Sequence, residues 1–123
     1  MFIRNTWYVI AEANELAPGT LLGRTVLNER IVVMRTASGS LRAFADACPH
    51  RFAPLSAGKI IDECIQCPYH GSVYDAEGRC VKVPGQSGAH GMDIALQSYP
   101  LLERYGYVWI WMGAAARCRC TTN

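Results

Sequence analysis

An all-β fold, an antiparallel sandwich or partial barrel, is predicted by three features of this chain. Apolar, β-branched and aromatic residues come in short runs rather than long stretches. Turn-forming pairs such as Pro18-Gly19, Ser38-Gly39 and Glu77-Gly78 separate those runs. Helical periodicity is scarce, surfacing only at 93–97 and around 12–16. Short strands joined by tight turns must bury their apolar faces against one another, and antiparallel layers are the economical way to do so. A chain of 123 residues supports about one such domain.

Taken in order, residues 6–11 (Trp7, Tyr8, Val9 and Ile10 among them) form the first expected strand, and Pro18-Gly19 the first turn. Residues 21–27 and 31–36 predict a hairpin closed at Asn28-Glu29. Ser38-Gly39 turns the chain into 41–47, which runs directly into Cys48. Segments 59–62 and 63–66 are short and ambiguous, whereas 72–75 and 80–83 predict a hairpin across Glu77-Gly78. Residues 85–91 make a glycine-rich loop, in which His90 is expected to be solvated, and 107–112 close the sheet. Trp7, Tyr8, Trp109 and Trp111 are expected in the core or an interface.

Composition excludes several function classes. The net charge of +2, without a basic run or aromatic ladder, gives no basis for nucleic-acid binding. No segment approaches eighteen consecutive apolar residues, and the opening Met1-Phe2-Ile3-Arg4-Asn5 carries no apolar leader, so the expectation is a soluble, cytoplasmic chain with no membrane partner. In that reducing compartment the six cysteines are expected as ligands or thiols rather than bridges.

Chemistry concentrates in two matched loops, Cys48-Pro49-His50 and Cys67-Pro68-Tyr69-His70-Gly71, with sixteen residues between His50 and Cys67. Each offers one thiolate and one imidazole. Mixed sets of two cysteines and two histidines hold either zinc or an iron-sulfur cluster. Zinc fingers commonly pair cysteine with cysteine and histidine with histidine. One ligand of each kind per loop suits instead a [2Fe–2S] rhombus whose irons take the cysteines and the histidines respectively. A zinc-binding interaction module stays open as the weaker alternative. Pro49 and Pro68 fix φ directly after each cysteine, and Gly71 permits close backbone approach or positive φ. Cys64 makes a Cys-x-x-Cys with Cys67, but it and Cys80 are expected as small buried residues.

Cys48-x-His50 followed by Cys67-x-x-His70-Gly71 resembles the Rieske signature. With Trp7-Tyr8-Val9, Arg51-Phe52-Ala53-Pro54-Leu55-Ser56 and Tyr105-Gly106-Tyr107-Val108-Trp109-Ile110-Trp111, the chain resembles the N-terminal domain of Rieske non-haem iron oxygenases, nearest the vanillate O-demethylase type. The likeness runs from about residue 2 to residue 113. It implies a Rieske-type domain at 1–113, an irregular tail at 114–123, and one [2Fe–2S] cluster on Cys48, His50, Cys67 and His70. It also implies a flavin-containing reductase as electron donor and a mononuclear-iron oxygenase domain as acceptor. A stand-alone Rieske ferredoxin is the alternative function.

Respiratory members of the class carry a disulfide between the loops, and the corresponding positions here resemble Ala53 and Tyr69. The resemblance therefore implies a potential near the lower end of the Rieske range, roughly −150 mV rather than +300 mV. Ser72 and Tyr74 match positions whose hydroxyls bond to cluster sulfurs in those proteins. The mononuclear iron site of the oxygenases uses two histidines and a carboxylate. Only His90 comes after the second loop, so these residues cannot supply that triad and the chain is not expected to be catalytic alone. The segment 114–123 bears no resemblance to the catalytic domain of the oxygenases, which leaves a truncation, a shifted frame or a short terminus open. Its Cys118-x-Cys120 is expected to be disordered rather than metal-binding.

Overall fold

The computed structural model describes residues 3–48, 53–69, 71–83 and 95–114. The chain forms β1 (Thr6–Glu12), β2 (Thr20–Val26), β3 (Glu29–Arg35), β4 (Leu41–Ala45), β5 (Lys59–Ile61), β6 (Cys64–Gln66), β7 (Val73–Tyr74), β8 (Cys80–Lys82), β9 (Leu101–Arg104) and β10 (Tyr107–Met112). Three antiparallel sheets result, with strand orders β1-β10-β9, β2-β3-β4 and β5-β6-β7-β8. Among the described residues helix is limited to 3₁₀ turns at Ala13–Glu15 and Leu55–Ala57. Neither is long and apolar enough to cross a membrane.

Strand β3 is the centre of this arrangement. Its run Ile31-Val32-Val33-Met34 is fully buried, because the two-residue period of a strand sends alternate side chains into two different cores. Ile31 and Val33 pack with Ile10 of β1 and with Val108 and Ile110 of β10. Val32 and Met34 face the other way, onto Phe44, Ile65, Tyr74 and the two loop cysteines. An apolar run without alternation is thus the mark of a strand covered on both faces. Each such side chain contributes roughly 1.5–3 kcal/mol relative to exposure, and β3 anchors both layers at once.

Several local expectations need correction. The β2–β3 hairpin closes one residue earlier than expected: Val26 pairs with Glu29, and Leu27 and Asn28 take positive φ of 51° and 65°. That two-residue turn matches the twist of the flanking strands, and the geometry outweighs leucine's aversion to positive φ. The ambiguous pieces at 59–66 pair as the β5–β6 hairpin, which turns at Asp62 with φ 55°. At 93–97 the described residues are not helical, since Ala95 bridges to Arg79 and the Leu96 amide donates to the Gly78 carbonyl at 2.7 Å. Pairing with a sheet edge satisfies those backbone groups better than a lone helical turn would. Strand β9 is not expected from the sequence at all; it pairs with β10 through a turn at Tyr105-Gly106. The glycine-rich loop at 85–91, including His90, and the tail beyond Ala114, including Cys118 and Cys120, lie outside the described residues.

Trp111 is buried, and the Trp7 ring meets it edge to face, with centroids 5.6 Å apart and planes at 64°. This is a preferred aromatic geometry. It fastens the first and last strands of the sheet to each other.

Candidate metal centre

Cys48 lies just beyond β4 and Cys67 just beyond β6, so each cysteine stands where a strand gives way to a loop. Their side chains are 1% and 3% exposed and belong to the same buried cluster as Tyr74, Cys80 and Leu55. Two segments separated by nineteen positions in sequence are brought together by the β5–β6 hairpin between them and by β3 beneath. Backbone bonds shape each loop. The Cys48 amide donates to Ala53 O at 2.8 Å, spanning the first loop. In the second, the Cys67 amide donates to Ser72 O at 2.8 Å and the Gly71 amide donates to Cys67 O at 3.2 Å. Gly71 takes φ 79°, a conformation that glycine adopts without penalty. Ser72 is buried at the start of the return into β7.

The Tyr74 hydroxyl lies 3.2 Å from Cys48 Sγ, and both groups are buried. Burial, and then the bond to Cys48, push the Tyr74 pKa far above the ordinary phenol value. The hydroxyl therefore keeps its proton at any physiological pH. A thiolate bound to metal has only lone pairs to offer, so in that state the tyrosine donates and the sulfur accepts.

The remaining cysteines separate cleanly. Cys80 is buried, as expected, and burial raises its thiol pKa. Cys64 is only half-buried, a correction to the expectation of a buried residue, because it comes directly after the Asp62-Glu63 turn of the β5–β6 hairpin, where Asp62 is exposed. Its thiol is also pushed up, first by burial and then by the carboxylates of Asp75, Asp62 and Glu63. Among the described residues no three or more His, Cys, Asp or Glu side chains converge as a metal site. His50 and His70, the imidazoles of the expected set, lie outside the described residues. No disulfide links the described cysteines; Ala53 is half-buried and Tyr69 is 61% exposed.

Gly58 carries no distinguishing signal in the sequence. A β-carbon at this position would overlap the Gln66 carbonyl oxygen, one residue before Cys67. The glycine thus lets the end of the first loop lie against the strand that carries the second. Standing between Ala57 and Lys59, it reads as any other turn residue.

Two buried thiols on separate loops, a hydroxyl at one sulfur and an apolar surround are a donor set and a setting that fit an iron-sulfur cluster. The family model for the Rieske [2Fe-2S] domain matches residues 6–100. The chain belongs to the Rieske [2Fe-2S] domain family. A Rieske domain binds one [2Fe–2S] cluster.

Relatives of this Rieske domain include the oxygenase component of dicamba O-demethylase from Stenotrophomonas maltophilia, 44% identical over 94% of this chain and 34% of that protein. Another is the vanillate O-demethylase oxygenase subunit of a Pseudomonas species, 42% identical over 92% of this chain and 31% of that protein. A crystal structure of dicamba monooxygenase bound to dicamba superposes with a TM-score of 0.89 at 42% identity, over 96% of this chain and 35% of the other. The chain thus spans about a third of the length of the relatives it matches. It corresponds to their Rieske part, the part homologous to the domain through which electrons enter aromatic oxygenases.

Proposed function

We propose that Cys48, His50, Cys67 and His70 hold the cluster, one iron taking both cysteines and the other both histidines. In this reading the chain is the Rieske domain of a cytoplasmic aromatic-compound oxygenase of the vanillate-demethylase type. When bound, the cluster supplies a one-electron couple between a flavin-containing reductase and a mononuclear-iron oxygenase domain. The protein's own residues do the rest. The two loops bring the cysteines together, Gly71 takes the positive φ that its turn needs, Gly58 lets the backbones approach, and the apolar cluster around Tyr74 keeps water from the cysteine side. Tyr74 offers its proton to Cys48 Sγ, and Ser72 is the second hydroxyl residue beside the loops.

The single observation that carries this reading is the burial of Cys48 and Cys67 together, on different loops, with the Tyr74 hydroxyl at the Cys48 sulfur. Electron spin-echo spectra of the reduced protein test the ligand set. Nitrogen couplings from two imidazoles are expected, with one lost in His50→Ala or His70→Ala whenever the variant keeps its cluster. Absence of nitrogen coupling in the unaltered chain contradicts the set. Reduction of the cluster by a flavin-containing reductase, without oxygenation of vanillate by this chain alone, is the expected electron-transfer behaviour.

A further inference from the structure

The first loop is closed at its base by a side chain outside the ligand set. Asp46, buried and two residues before Cys48, accepts from the Ser56 amide at 2.8 Å through one carboxylate oxygen. Its other oxygen accepts from Ser56 Oγ at 2.6 Å. The same residue's amide donates to Arg30 O of β3 at 2.9 Å. Asp46 therefore ties the end of the loop that bears Cys48 to its beginning, and ties both to the central strand. Ser56 sits in the 3₁₀ turn Leu55–Ala57, whose Leu55 is packed in the cluster with Cys48 and Cys67.

A second observation comes from the neighbouring sheet edge. Gly23 lies inside β2, paired with Val32, and its φ is not in the left-handed region, so the backbone there does not require glycine. Glycine weakens a strand interior unless something must come close. What comes close is this pair of side chains: a β-carbon on Gly23 would lie 2.8 Å from Ser56 Oγ and 3.2 Å from Asp46 Oδ2. The missing side chain leaves the room that the doubly bonded carboxylate fills.

We propose that Asp46 and Ser56, admitted by Gly23, form a clip whose role is to hold the first loop in its cluster-binding shape. These are positioning residues for Cys48, and the inference rests on the ligand assignment made above. A carboxylate bonded through both oxygens cannot drift, and a loop closed at its base retains its metal against competition better than an open one. Loss of one hydrogen bond to a charged group corresponds to about a tenfold change in the opening equilibrium.

The test uses the cluster-loaded full chain and tracks bleaching of its visible absorbance by an iron chelator, together with the reduced-state paramagnetic resonance spectrum and the thermal midpoint. Ser56→Ala and Gly23→Ala are the two probes, one removing a bond and the other pushing on it from β2. Ile110→Val, in the opposite core, is the control for general destabilisation. Both probes are expected to bleach about tenfold faster than the unaltered chain and to shift or broaden the resonance spectrum. Ile110→Val is expected to lower the thermal midpoint while leaving bleaching and spectrum unchanged. If Gly23→Ala does not fold, Ser56→Ala alone carries the comparison. Bleaching by Ser56→Ala no faster than that by Ile110→Val overturns the clip, with Cys48→Ser losing its cluster showing that the ligand assignment still stands. A full cluster in Cys48→Ser instead overturns the ligand assignment and the clip with it.

Discussion

Tyr74 and Cys48, twenty-six positions apart in sequence, meet through a 3.2 Å contact between hydroxyl and sulfur at the heart of the buried cluster. A donated hydrogen bond stabilises the more negative, reduced form of a cluster more than the oxidised form. Tyr74→Phe removes that donor while keeping the ring. A charge-assisted bond of about 1.5 kcal/mol corresponds to roughly 65 mV for a one-electron couple. The midpoint potential of Tyr74→Phe should fall by tens of millivolts with the iron content unchanged. Voltammetry at fixed pH checks it, and an unchanged midpoint would make Tyr74 an ordinary core residue.

Gly58→Ala places a methyl group against the Gln66 carbonyl, a rigid backbone atom that cannot swing aside. Overpacking of this kind costs about 1–3 kcal/mol. A fall in thermal midpoint of about 4 °C per kcal/mol is expected, accompanied by reduced cluster content. The equivalent change at Gly39, where a β-carbon would meet nothing within 4 Å but φ is 97°, strains the backbone without touching the loops and should leave the cluster in place.

Cys64→Ser should retain full iron and an unaltered visible spectrum, while Cys67→Ser should lose both. The two cysteines differ in burial and company: Cys67 shares the apolar cluster with Cys48, whereas Cys64 stands half-buried among carboxylates. Iron analysis of the two purified variants decides the matter, and loss of iron from Cys64→Ser would reopen the Cys-x-x-Cys reading.

Away from the loops, Glu63 links the β5–β6 turn to residue 38. Its carboxylate accepts from the Ser38 hydroxyl at 2.7 Å and from the Ser38 amide at 2.9 Å. These bonds, the hydroxyl first, hold the Glu63 pKa below its ordinary value of 4.5. A depressed carboxylate pKa stabilises the fold above the unfolded value, and the stabilisation is lost as pH falls through the folded value. The thermal midpoint of the unaltered chain should therefore exceed that of Glu63→Gln at pH 7, with the gap closing as pH is lowered below 4.5. A gap independent of pH would contradict the assignment.

Much of the layout is legible in the sequence because local chemistry and tertiary demand agree. The aromatic and β-branched run of β1, the β-branched run of β3 and the Tyr107–Met112 strand all announce themselves. The loops' cysteines stand out by spacing alone. The features that escape a sequence reading depend on partners distant in the chain. Leu101–Arg104 becomes a strand because β10 supplies an edge, not because Leu-Leu-Glu-Arg alternates. Leu27 accepts a positive φ because the hairpin twist demands it. Gly23, Gly58 and Asp46 matter through contacts with Ser56 and Gln66, which no local pattern signals. His50 and His70 are legible in the motif and lie outside the described residues.

Iron and acid-labile sulfide analysis of the purified 123-residue chain tests the central claim most directly. A Rieske cluster on Cys48, His50, Cys67 and His70 predicts about two irons and two sulfides per chain, with visible absorbance that changes on reduction. One zinc per chain, with no sulfide and no visible absorbance, would contradict it.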